Sequence, residues 1–238
     1  MVVGIVGSAV TALLVAMFIV IRAKNGACIA GLMAKTIASF AFVMTAIFGL
    51  MAVKDLEISN FVLIVLGLLC GLIGDIILEL KVIYKNDSSS YLPYGMIAFG
   101  FGHVFYFSAI SFFAKDAGID TVLPMVIAAG AGIVLTAVTL VMASKVMKLE
   151  FGDFFPHTMF YTFILTFVSV FALIIGLSIP LILIMALGLI LILVSDLILS
   201  MQYFGGKEDS KILHILNHSI YYLGQIAIVV FIYCFAIL

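Results

Sequence analysis

The chain alternates long apolar runs with short polar breaks, and inside the runs the apolar residues are continuous. A soluble amphipathic helix repeats its apolar positions every three or four residues, and a half-buried strand every two. Neither pattern organises this sequence. Its runs approach or exceed ~20 residues, the length a helix needs to cross a bilayer. They predict spans near 3–21, 34–53, 58–80, 93–113, 120–144, 156–176, 179–201 and 212–237. The longest break is only about a dozen residues, which leaves no room for a soluble domain. Asp87-Ser88-Ser89-Ser90 reads as a turn. The prediction is an all-α polytopic membrane protein of about eight transmembrane helices, with residues 1–238 in a single integral membrane domain.

Composition sharpens this picture. Hydrophobic residues make up 66% of the chain and charged residues 10%, against about 45–50% and about 25% in an ordinary globular domain. Strands of an outer-membrane barrel would alternate, so that class is excluded. The first run opens Met-Val-Val-Gly, without the positive stretch of a signal peptide, and is read as a retained helix. A net charge of −1 gives nucleic acid nothing to bind. Cys28, Cys70 and Cys234 are scattered through or near apolar runs with neither metal-type nor disulfide-type spacing, and read as packing residues.

Basic residues orient the chain, because cytoplasmic loops are enriched in them. The breaks after helices 1, 3, 5 and 7 hold Arg22, Lys24, Lys35, Lys81, Lys85, Lys145, Lys148, Lys207 and Lys211; those after helices 2, 4 and 6 hold Lys54 and Lys115. The asymmetry predicts odd-numbered breaks in the cytoplasm and both termini outside.

Against this background the polar residues within the runs stand out. A charge in a bilayer costs roughly 3 kcal/mol even on lenient scales, which makes such residues functional candidates. Asp75 lies late in helix 3, in Gly-Asp-Ile-Ile-Leu, and Asp196 late in helix 7, in Ser-Asp-Leu-Ile-Leu. Each is about five residues from the cytoplasmic end, roughly 8 Å in. His103 and Tyr106 in helix 4, and His218, Tyr221, Tyr222 and Gln225 in helix 8, enter from the same side, with the two histidines roughly 10–15 Å deep. The expectation is one polar cavity facing the cytoplasmic half.

Aspartate followed by His-x-x-Tyr occurs twice, four helices apart, which suggests a 4+4 parallel internal repeat about an axis along the membrane normal. Two matched carboxyls make an acid/base pair: one retains its proton as general acid while the other stays ionised. That is the arrangement that acid cleavage of an acetal-like or vinyl ether bond requires. His103 is expected to hold Asp75, Glu79 to be a surface charge beside Lys81, and His157 to be interfacial. His214 and His218, four residues apart, are the one pair with metal-clamp spacing, but no Cys or Glu completes a set, so no metal or cofactor is assigned.

Gly74-Asp75-x-x-Leu78, Gly95-x-x-x-Phe99-x-x-Gly102-His103-x-x-Tyr106, Ser195-Asp196-x-x-Leu199 and Tyr221-Tyr222-x-x-Gln225 together resemble the YhhN-like lysoplasmalogenase family. Gly224 and the His214/His218 pair depart from its pattern. The resemblance runs from helix 3 to helix 8 and implies a hydrolase that cleaves the vinyl ether of lysoplasmalogens. The products would be a fatty aldehyde and glycerophosphocholine or glycerophosphoethanolamine. It implies Asp75 and Asp196 as catalytic residues, with His103, Tyr106, Tyr222 and Gln225 tuning the carboxyls or holding the headgroup; His218 and Ser195, polar residues of the same half, are expected around the substrate as well. Its partners would be the lysophospholipid and membrane lipids. Two other classes fit the residues alone: a small-solute transporter, and a metal-dependent lipid amidase or esterase using His214, His218 and an aspartate.

Overall fold

A computed structural model describes residues 2–51, 58–84 and 88–236. Within them lie eight helices, each long and apolar enough to cross a membrane: α1 (Val2–Asn25), α2 (Ile29–Leu50), α3 (Ile58–Ile83), α4 (Ser88–Asp116), α5 (Val122–Val141), α6 (Phe155–Ser178), α7 (Ile182–Phe204) and α8 (Lys211–Phe235). The protein is a multi-pass, all-helical integral membrane protein, and each predicted span falls on one helix. Of the turn expected at residues 87–90, Ser88, Ser89 and Ser90 instead open α4; Asp87, Lys85 and Lys54 lie outside the described residues. Helix starts are set locally. The Cys28 sulfur accepts the Gly31 N–H at the start of α2, and the Ser210 hydroxyl accepts the Leu213 N–H at the start of α8, satisfying donors that a helix start leaves free.

Lipid tails are as apolar as leucine, so helices in a bilayer associate through close packing at small residues rather than by escape from water. Gly188 of α7 and Gly224 of α8 face each other so closely that a methyl on Gly188 would lie 2.8 Å from the Gly224 carbonyl oxygen. Gly67 of α3 stands in the same way against Gly102 and Tyr106 of α4. Gly188→Ala is accordingly expected to force α7 and α8 apart and cost about 1–3 kcal/mol, read as a lower thermal midpoint in detergent.

These glycines fix the relation between the two halves. Gly67 and Gly188 each stand eight residues before their aspartate, Asp75 and Asp196. Gly67 meets Gly102 and Tyr106; Gly188 meets Gly224 and Ile228. Helix neighbours repeat too: α1–α2, α2–α3 and α3–α4 recur as α5–α6, α6–α7 and α7–α8, and α2–α8 as α6–α4. The halves part where α1 packs on α8. The aspartate match therefore belongs to a real 4+4 relation, but the His-x-x-Tyr match does not. In the packed register His103 corresponds to Gln225 and Phe99 to Tyr221, seven residues, or about two turns, from the pairing that the letters suggested.

The two ends of the bundle differ. At the end away from the aspartates, Phe61, Phe113, Phe231 and Phe235 form one aromatic cluster, with ring centroids 5.0–6.1 Å apart. Beside it Asn60 donates to Asp116 at 2.7 Å. The aspartate end is open and polar.

Candidate active site

Asp75 and Asp196 line a single cavity of about 220 Å³, one carboxyl from each half of the chain. It opens at the end where α3 and α7 finish and α4 and α8 begin, so the sequence-based expectation of one shared polar cavity holds geometrically.

The two carboxyls have different surroundings. Ser39 donates to Asp75 Oδ2 at 2.6 Å and Tyr221 to the same oxygen at 2.9 Å, while Lys35 Nζ lies 3.5 Å from Oδ1. Tyr222 stands one step behind, its hydroxyl 2.8 Å from Ser39 Oγ. Asp196 has a single hydroxyl donor, Tyr161, at 2.6 Å, and lies beside Phe99, Leu78 and Leu199 on the wall that separates the polar cavity from a small apolar one. Charge-assisted bonds to a carboxylate are short and strong. Asp75 has a cation and two hydroxyls to hold a negative charge; Asp196, among the described residues, has one hydroxyl bond.

Lys35 is also 3.7 Å from Glu79 Oε2, and Glu79 Oε1 is 3.0 Å from Arg22 Nε. Four charges thus run Arg22–Glu79–Lys35–Asp75 across α1, α3 and α2. Glu79 is 2% exposed and Lys35 5%, which corrects two expectations. Glu79 is a buried partner in this chain of charges, not a surface charge, and Lys35 is a helical residue of the site, not a loop cation. Both stand at the ends of apolar runs, where a charge reads as belonging to the interface. Lys81 instead reaches Glu208 at 3.5 Å and the Tyr203 ring at 3.6 Å.

Of the remaining expected residues, His218 lines the cavity, its ring edge-on to Phe18 with centroids 5.0 Å apart. Tyr222 and Gln225 are buried behind the Asp75 wall, Gln225 against Gly71 beside the Tyr221 hydroxyl. His103 and Tyr106 lie deeper, with His103 Nδ1 2.9 Å from the Phe99 carbonyl oxygen. Contrary to the expectation, His103 does not hold Asp75; it lies edge-on to the Tyr161 ring, centroids 6.5 Å apart, on the Asp196 side. Ser195 is structural in its contacts: its hydroxyl donates to the Ile192 carbonyl and its own carbonyl accepts Asn217 Nδ2 at 2.7 Å. His157 is exposed at the start of α6. The His214 and His218 rings are tilted 45° to each other with centroids 4.2 Å apart, and among the described residues no group of three or more His, Cys, Asp and Glu is placed to hold a metal.

Sequence reasoning missed Lys35, Ser39, Arg22 and Tyr161. Only the lysine and arginine carried a signal, as charges bordering apolar runs; Ser39 and Tyr161 are ordinary letters within them.

An eight-helix membrane bundle with one buried and one half-buried carboxyl on one polar cavity defines the class. The YhhN family model matches residues 31–232, and the chain belongs to the YhhN family. Neither curated proteins nor solved structures gave a match.

Proposed function

We propose that the protein is a lysoplasmalogenase, a membrane hydrolase that cleaves the vinyl ether of lysoplasmenyl-choline or -ethanolamine lipids. The resemblance of the motifs around Asp75 and Asp196 to the lysoplasmalogenases suggests the substrate class, and membership of the YhhN family is consistent with it. The observation that carries the reaction is the unequal pair: a multiply held Asp75 and a sparsely held Asp196 on one cavity.

A vinyl ether resists base and yields to acid. Asp196 in its protonated form gives its proton to the β-carbon of the alkenyl chain, and the electron pair of the double bond forms the new C–H bond. The oxocarbenium ion so produced faces the Asp75 carboxylate, as in the paired-carboxyl logic of glycosidases. Water adds to the cationic carbon and returns a proton to Asp196. The hemiacetal then moves its hydroxyl proton to the glycerol oxygen, the C–O bond breaks, and aldehyde and glycerophospho-base leave. One water is consumed and the acid is regenerated.

Incubation of detergent-purified protein with a lysoplasmenyl lipid tests this against its alkyl-ether and acyl-ester analogues. Fatty aldehyde from the vinyl ether alone is the expected result. Fatty acid from the ester would replace this reading with that of an esterase. Silence on all three lipids from folded protein would leave the carboxyl pair as a transport or binding site.

The cavity is assigned to the cytoplasmic side and both termini to the outside. Exposed Lys24, Lys145, Lys148, Lys207 and Lys211 all lie at the cavity end, with exposed Lys115 at the other, which keeps the basic asymmetry after Lys35 is removed from it.

A further inference from the structure

Two apolar spaces lie beside the polar cavity, the first sharing walls with it and the second with the first. Asp196, Phe99 and Leu199 belong at once to the wall of the polar cavity and to that of an apolar cavity of about 70 Å³ lined by α4, α6, α7, the end of α5 and Leu78 of α3. That small cavity in turn shares Met96 and Tyr161 with a groove of about 640 Å³ on the outer face, between α4 and α6. The groove is lined almost wholly by hydrocarbon, among it Ile97, Phe101, Val104, Phe160 and Ile164. Tyr161 joins the two environments: its hydroxyl holds Asp196 and its ring borders the groove.

The groove extends from Pro93 to Val104 along α4. Eleven steps at 1.5 Å give ~16 Å, close to half the ~30 Å hydrocarbon thickness of a bilayer. It therefore spans one leaflet, the one on the cavity side, because α4 and α6 both begin there. Nothing fills its middle: a methyl on Gly100 would touch only Ile164, at 3.9 Å.

We propose that this groove and the small cavity behind it bind the hydrocarbon chain of a single-chain phospholipid, which passes between α4 and α6 at Tyr161 while its headgroup occupies the polar cavity. The inference rests on the lipid-hydrolase reading and adds to it a binding site and a rule of selection. The bond next to the headgroup then lies at the Asp196 wall, where polar and apolar spaces meet. At about 70 Å³ the inner cavity is far smaller than the outer groove of about 640 Å³, and the proposed site takes one chain in preference to two. The outer part of the chain rests in a groove open to the bilayer, so long chains are not penalised.

A non-cleavable alkyl-ether lysophospholipid carrying a diazirine near its chain end tests the site without requiring turnover. After irradiation, label is expected on residues 97–104 and 156–164, and an excess of unlabelled lysophospholipid should remove it while a diacyl lipid does not. Label of equal intensity on the outward face of α1, or label that the lysophospholipid cannot displace, would overturn the site. Gly100→Trp and, at the inner end of the groove, Val104→Trp are the companion variants, and each should keep the wild-type melting curve. Each should abolish displaceable groove label and slow cleavage of long-chain substrate by about tenfold or more. A vinyl ether too short to reach the groove should be cleaved at an unchanged rate. Unchanged long-chain turnover in both folded variants would overturn the proposal. Displaceable groove label with no aldehyde from any substrate would refute the reaction and leave the binding site standing; aldehyde with evenly spread label would do the reverse.

Discussion

Asp196→Asn is expected to lower aldehyde production from a lysoplasmenyl lipid by about 10²–10⁴-fold, the usual contribution of a positioned general acid, with the protein still folded. Asparagine keeps the shape and an oxygen for the Tyr161 hydroxyl to bond, so the wall between the two cavities stays intact. What it lacks is a proton acidic enough to transfer to carbon. Asp75→Asn should lose activity to a similar degree by a different route, and with a measurable fall in thermal stability. It takes the anion from Lys35 and leaves Ser39 and Tyr221 pointing at a neutral group. If the pair works as a unit, the double variant should be no slower than the worse single one. A single variant that retains more than a few per cent of activity would remove that residue from the chemistry, and fully multiplicative losses would mean the carboxyls act independently. Aldehyde release under substrate saturation, beside a melting curve for each variant, separates the outcomes.

The parts of this protein that could be read from sequence are those where one letter suffices. Apolar runs the length of a bilayer give the eight helices, because only a helix or a closed barrel satisfies the backbone there and barrel strands would alternate. Asp75 and Asp196 are conspicuous because a charge in such a run is costly. What could not be read depends on how helices meet. His103 and His218 share a spelling, His-x-x-Tyr, yet sit two turns apart in the repeat. Their register is set by the Gly67 and Gly188 contacts with the following helix, which no spacing within α4 or α8 reveals. Ser39 and Tyr161 supply the bonds that distinguish the two carboxyls, but a hydroxyl in an apolar helix bonds its own backbone just as often, as Thr11, Thr36 and Thr45 do here. Lys35 and Glu79 misled because long charged side chains at helix ends normally reach for water; here they reach for each other.

That mutual reach gives the largest stability effect expected of any single substitution in the cavity. Lys35 lies between Asp75 at 3.5 Å and Glu79 at 3.7 Å, and those two carboxylates are four residues apart on one face of α3, where like charges repel. Lys35→Met fills the same space but leaves Asp75 without a cation and Glu79 with Arg22 alone. Removing one partner of a buried ion pair typically costs about 3–5 kcal/mol, because the other charge stays buried. For a chain of this length that corresponds to a drop in thermal midpoint of about 10 °C. Lys35→Arg keeps the charge and should stay close to wild type. The decisive measurement is the double-mutant cycle with Asp75→Asn: once Asp75 is neutral, losing Lys35 should cost about 1–3 kcal/mol less than it does in the wild type. Additive losses would show that Lys35 stabilises the bundle through its packing on Phe18 and not through Asp75. A coupled result would mean that the Lys35–Asp75 attraction ties α2 to α3 as well as setting the charge of the site. Activity should then follow the same cycle, with Lys35→Met slowing turnover in protein that is still folded at the assay temperature.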